Sequence, residues 1–214
     1  MSYKPILFND EMVKAIQMGR KTQTRRIVKN QDGIHPRRSN IGFFGWDDGH
    51  GYQMMPPCKE GDIMWVRETW QHVYNFDDGD QPIEGTGRYV YCADNPMPFD
   101  YWVDVDTGEH KEQMPWKPSI HMPKEAARIF LRVKDVRVER LQDMRLEDCL
   151  AEGVRLTAGV ENDLVRAPIR AREWFSQVWD STIKPADRDM YGWDANPWVW
   201  VIEFERIEKP EDWR

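Results

Sequence analysis

Secretion and membrane insertion leave marks that this sequence lacks. Cys58, Cys92 and Cys149 are its only cysteines, odd in number and with no CxxC pair, so a reducing compartment is expected rather than a disulfide framework. No stretch approaches the ~20 apolar residues that span a bilayer. The opening MSYKPILFND carries no apolar signal core, so a cytoplasmic protein without a membrane partner is expected. The chain has no P-loop, GxGxxG or GxSxG, and His35, His50, His72, His110 and His121 show neither HxxxH nor HExxH spacing. Triphosphatase, dinucleotide and α/β-hydrolase chemistry lack support, and neither a metal nor a cofactor is expected. No internal repeat is present.

An excess of positive charge is missing too. The net charge of −7 argues against a protein that coats long nucleic acid, because counterion release needs a broad basic face. The cations are unevenly spread, however. Arg20, Lys21, Arg25, Arg26, Lys29, Arg37 and Arg38 fall within nineteen residues that hold one acid, Asp32. That clustering reads either as a local anion site on an acidic protein or as a solvated loop. Eleven tryptophans suit cores and base-stacking surfaces equally well and decide nothing alone.

Hydropathy patterning predicts an α+β chain. Ile6–Phe8 reads as a strand, and Asn9 or Asp10 caps a helix that ends at Gly19. The basic segment after it is expected to be a loop. Ile63–Trp70 and Arg88–Cys92 read as strands, and Arg128–Leu141 as a long strand bent near Lys134–Asp135. A short helix follows over 145–152, closed by Gly153. Pro168 opens another whose apolar stripe is Ala171, Trp174, Phe175, Val178 and Trp179. Trp198–Phe204 alternates as a terminal strand. At 214 residues one domain is expected over 1–214, with loop insertions at about 30–57 and 74–115, where Gly, Pro and acidic residues replace periodicity.

The segment GRKTQTRR, Gly19 to Arg26, is the most informative. Lys21, Thr24 and Arg26 supply an amine, a hydroxyl and a fixed guanidinium, a set that holds a phosphate or the polar edge of a base. In a dry site Lys21 is able to act as a base toward a Thr24 nucleophile. Arg67, Glu68 and Trp70 either line a cleft, with Trp70 stacking on a base, or are outward strand residues beside a core tryptophan.

Lys21-Thr22-x-Thr24-x-Arg26 after a helix, Gly61-Asp62 before an apolar strand, and Glu152-Gly153 closing a short helix together resemble the ASCH family of PUA-like proteins. WKPSIHMP (Trp116–Pro123), DVRVERLQD (Asp135–Asp143) and NPWVWVIEF (Asn196–Phe204) resemble in particular the ASCH proteins carried by phages and prophages. The resemblance implies a PUA-like small mixed β-barrel flanked by short helices, with a cleft for RNA or a modified nucleoside. It also implies, by likeness to one branch, an amidohydrolase acting on N4-acetylcytidine. There Thr24 would attack the acyl carbon, Lys21 would take its proton and Glu152 would protonate the leaving amine. Arg20, Arg25, Arg26, Arg67 and Trp70 would contact the ligand. A non-catalytic RNA or modified-nucleic-acid binding module and a ribonuclease are the alternatives that the same resemblance leaves open.

Overall fold

A computed structural model describes residues 1–29, 31, 36–38, 46–48, 50, 54–79, 81–96, 98, 102–103 and 107–213. Most of the expected insertion at 30–57 falls outside the described residues, as does His35.

The frame is one five-stranded sheet. Its strands are β1 (Tyr3–Leu7), β2 (Gln23–Ile27), β3 (Ile63–Arg67), β6 (Phe130–Arg140) and β7 (Trp198–Ile207), in the spatial order β1-β3-β6-β7-β2. The β1–β3 pair is parallel and the other three pairs are antiparallel. Between β3 and β6 in the chain, β4 (Trp70–Val73) and β5 (Arg88–Tyr91) form a separate hairpin. The long strand β6 carries the expected bend, with its register against β7 shifting between Val133 and Asp135.

The mixed α+β architecture is as expected, but the sheet does not close into a barrel among the described residues. β1 and β2 are the two outer strands, and no backbone ladder joins them among the described residues. A side chain spans the gap instead: Arg26 Nη2 donates to the Leu7 carbonyl at 3.0 Å.

Period-2 alternation gives each sheet face its own cover. Ile202 and Phe204 of β7 join Met64, Val66, Leu131 and Val133 in one cluster with Val13 and Ile16 of α1 (Asp10–Gln17). Val199 and Val201 point the other way. They pack against Cys149 of α2 (Leu146–Ala151) and Ala171, Phe175 and Trp179 of α3 (Arg166–Thr182). Trp174, expected on that stripe, is 38% exposed. A third cluster surrounds Phe130, Trp65, Trp70 and Trp213. No helix among the described residues is long and apolar enough to cross a membrane.

Candidate functional site

The expected loop after α1 is a strand for half its length. Asn9 Oδ1 accepts from Met12 N at 2.9 Å and starts α1. Gly19 takes φ +71 at the other end, and the Ala15 carbonyl accepts from the N–H groups of Arg20 and Lys21. This tight stop delivers Lys21 into the interior and leads straight into β2, whose polar residues alternate between faces. Thr24 and Arg26 pair with Ile202 and Trp200, whereas Arg25 pairs with Val201.

The second half of the site comes from the end of α2. Glu152 caps that helix and Gly153 follows at φ +100. A side chain at Gly153 would meet Ala15 Cβ at 2.9 Å and Lys21 Cβ at 3.3 Å, so only glycine lets α2 close on Lys21. Arg20 Nη1 donates to the Gly153 carbonyl at 2.7 Å and braces the same approach.

What meets there is a buried ion cluster. Lys21, Thr24, Arg25 and Glu152 are all at most 6% exposed. Lys21 Nζ lies 2.6 Å from Glu152 Oε2 and also donates to the carbonyls of Gln23 (2.9 Å) and Glu152 (3.0 Å). Arg25 Nη1 holds the other carboxylate oxygen of Glu152 at 3.1 Å, and its Nη2 reaches Glu139 at 2.6 Å. Burial lowers the Lys21 pKa below its usual 10.5; Glu152 pulls the other way, and the two arginines add to the lowering. Burial also opposes the Arg25 charge, but Glu152, Glu139 and Asp148 outweigh it and raise its pKa.

Thr24 stands beside this cluster. Its Oγ1 accepts from Arg26 Nη1 at 2.7 Å. With Glu152, Arg25 and Arg26 it lines a small cavity of about 40 Å³, roofed by Phe175, Val178 and Trp179 of α3. That volume suits a water molecule, not an acyl group. On its other side Arg26 borders a much larger cavity of about 930 Å³.

Lys21, Thr24 and Glu152 therefore converge, with Arg26 next to them. The remaining expected contacts are placed differently. Arg25 is enclosed among carboxylates and grips Glu152. Arg67 donates to the Ile120 carbonyl and lies over the Trp65 ring. Trp70 is 7% exposed, packed on Tyr89 and beneath Lys117, so its ring is core. Glu68 is fully buried rather than outward-facing, held by two hydrogen bonds from Arg128 at 2.9 and 2.8 Å. No group of three or more His, Cys, Asp or Glu among the described residues is placed to hold a metal ion.

No family model matches the sequence, and no curated protein does. Among solved structures, the ASCH domain from Lactobacillus crispatus JV V101 is similar over 97% of this chain and 81% of that one, at 12% identity and a TM-score of 0.37.

Proposed function

We propose that this chain is an amidohydrolase acting on an acylated pyrimidine nucleoside such as N4-acetylcytidine, or on RNA that carries it. The reading draws on the ASCH-like motifs, and one observation carries it: a lysine and a glutamate form a 2.6 Å pair out of water, and the same glutamate shares a cavity wall with a threonine hydroxyl. Amide hydrolysis needs a nucleophile, a base for its proton and an acid for the departing nitrogen.

In the proposed cycle, the Lys21–Glu152 pair passes a proton from Nζ to Oε2 across their 2.6 Å contact. Lys21 Nζ donates to the carbonyl of Gln23, next to Thr24 in the chain, and in this reading the neutral amine is the base for the hydroxyl. Thr24 Oγ then attacks the acyl carbon as its proton moves to Lys21. Glu152 protonates the exocyclic nitrogen as the C–N bond breaks, releasing the nucleoside. Water then hydrolyses the Thr24 ester to the free carboxylic acid and restores the hydroxyl. Arg26, already bonded to Thr24, supplies positive charge where the oxyanion develops.

The volume of only about 40 Å³ beside Thr24 favours a second reading, in which the chain binds RNA or a modified nucleoside without turning it over. The deciding experiment follows release of cytidine from N4-acetylcytidine by the purified protein, with Thr24→Ala and Lys21→Ala as controls. Release that both substitutions abolish supports the hydrolase. Binding of the compound without release leaves the second reading.

A further inference from the structure

The small cavity beside Thr24 combines a polar wall with an apolar roof. Thr24, Arg25, Arg26 and Glu152 line it beneath Phe175, Val178 and Trp179 of α3. Its volume of about 40 Å³ is far below that of a small-molecule site, yet above the roughly 10–15 Å³ that a single water needs.

Room alone does not hold a water, which also needs about two to four polar partners. The wall supplies them. Arg25 is held by carboxylates through Nη1 and Nη2, but its buried Nε has no hydrogen-bond acceptor. A buried donor of a charged group left without an acceptor is costly, so an acceptor is called for at that atom. Thr24 Oγ1 accepts from Arg26 Nη1 and still has its own hydrogen to give. Lys21 and Arg25 each engage one Glu152 oxygen, and a carboxylate oxygen has a second lone pair to offer. A cation in the cavity would face two guanidinium groups, and an anion would face Glu152. A neutral molecule that both donates and accepts fits this wall.

We infer that the cavity binds a water, accepting from Arg25 Nε and donating to Glu152, and that this water hydrolyses the acyl–Thr24 ester. The hydrolytic role rests on the proposed function; the water site stands on the cavity and the unpaired Nε. Once Thr24 is acylated, the acyl carbon is one bond from Oγ1 and so adjoins the cavity. The water oxygen attacks that carbon and gives a proton to Glu152, which became a carboxylate when it protonated the departing amine. The bond from the carbon to Oγ1 then breaks, and Oγ1 recovers from Lys21 the proton it lost during acylation. The carboxylic acid leaves, with Lys21 neutral and Glu152 protonated, the state that begins the next cycle. Arg25 is thereby a positioning residue for the water as well as for Glu152.

Two measurements on the full chain test this. A high-resolution crystal structure of the wild type is expected to show a water within hydrogen-bond distance of both Arg25 Nε and Glu152. Val178 is half-buried in the roof, so Val178→Leu and Val178→Met fill the cavity without altering a charged group. In each variant the first equivalent of cytidine should leave N4-acetylcytidine at the wild-type rate. Steady-state turnover should then fall by about tenfold or more while acetyl accumulates on Thr24, read by mass spectrometry of the Thr24 peptide. A cavity without water overturns the inference, as do variants that slow the first and later turnovers alike. The wild-type structure decides the site even if both substitutions prevent folding. Failure of the hydrolase is separable. A wild type that releases no cytidine removes the enzyme and the hydrolytic role with it, and the crystal structure alone then upholds or overturns the water site.

Discussion

Glu68 and Glu152 are both buried against cations, and they differ in what those cations are able to do. Glu68 is met by a single guanidinium. Arg128 gives it two hydrogen bonds, lies over the Tyr91 ring and spends its remaining donors on Asp94. Glu152 is divided between Lys21 on one oxygen and Arg25 on the other, with a hydroxyl and a cavity alongside. Burial raises the Glu68 pKa even though Arg128 opposes it; that group holds the end of β3 against the start of β6. A buried charge marks a candidate site only when its partner is able to give up a proton and there is space for something to receive it. An arginine does not part with a proton, whereas a buried lysine does.

Several substitutions put that contrast to the test. The largest effect is expected from Thr24→Ala, which removes the nucleophile and should lower kcat for N4-acetylcytidine by about 10³-fold or more, a loss of at least ~4 kcal/mol of transition-state stabilisation. Glu152→Gln keeps the hydrogen-bonding shape but not the proton relay, and a loss of about 10²–10⁴-fold is expected; turnover assays at constant folded concentration measure both. Glu68→Ala should act in the opposite manner. It leaves Arg128 with Asp94 alone and should cost about 1.5–3 kcal/mol in chemical denaturation, with kcat per folded molecule unchanged.

Gly153→Ala falls between the two classes. A left-handed φ and a 2.9 Å clash with Ala15 should cost about 1–3 kcal/mol, and pressure on Lys21 should lower kcat as well. The smallest effect is electrostatic. The hydrogen bond from Arg128 holds the Asp94 carboxyl below its usual 3.8. As pH falls below that value the unfolded chain takes up the proton first, so this contribution is present above about pH 3.8 and lost as pH drops through the folded-state value. Asp94→Asn should flatten the acid limb of a stability-versus-pH curve.

The elements that the sequence made legible are those where apolar spacing and backbone chemistry agree. Asn9 and Gly19 bracket α1, Val133 and Val136 mark the bend in β6, and Gly153 ends α2. The convergence of Lys21 with Glu152 was legible from motif resemblance, not from periodicity. β2 was missed because its alternation is written in polar residues. Thr24 and Arg25 are both buried on opposite faces, and neither face carries the apolar signal that identifies a strand. The open sheet and the α3 roof over Thr24 depend on where distant segments meet, which local spacing does not encode. The burial of Glu68 is not legible in the sequence for the same reason: its partner Arg128 is 60 residues away.

The missing ladder between β1 and β2 has a mechanical consequence. A closed barrel would have to break several backbone hydrogen bonds to admit anything at that seam. Among the described residues the direct polar tie across it is the bond from Arg26 to Leu7, and a hydrogen bond to a charged group contributes about 1.5–3 kcal/mol. The seam is therefore able to part like a hinged clasp while every strand keeps its inner neighbour. Outward-facing amides of β1 and β2 should exchange with solvent deuterium well before those of β6 and β7, and a ligand that engages the clasp should slow them first.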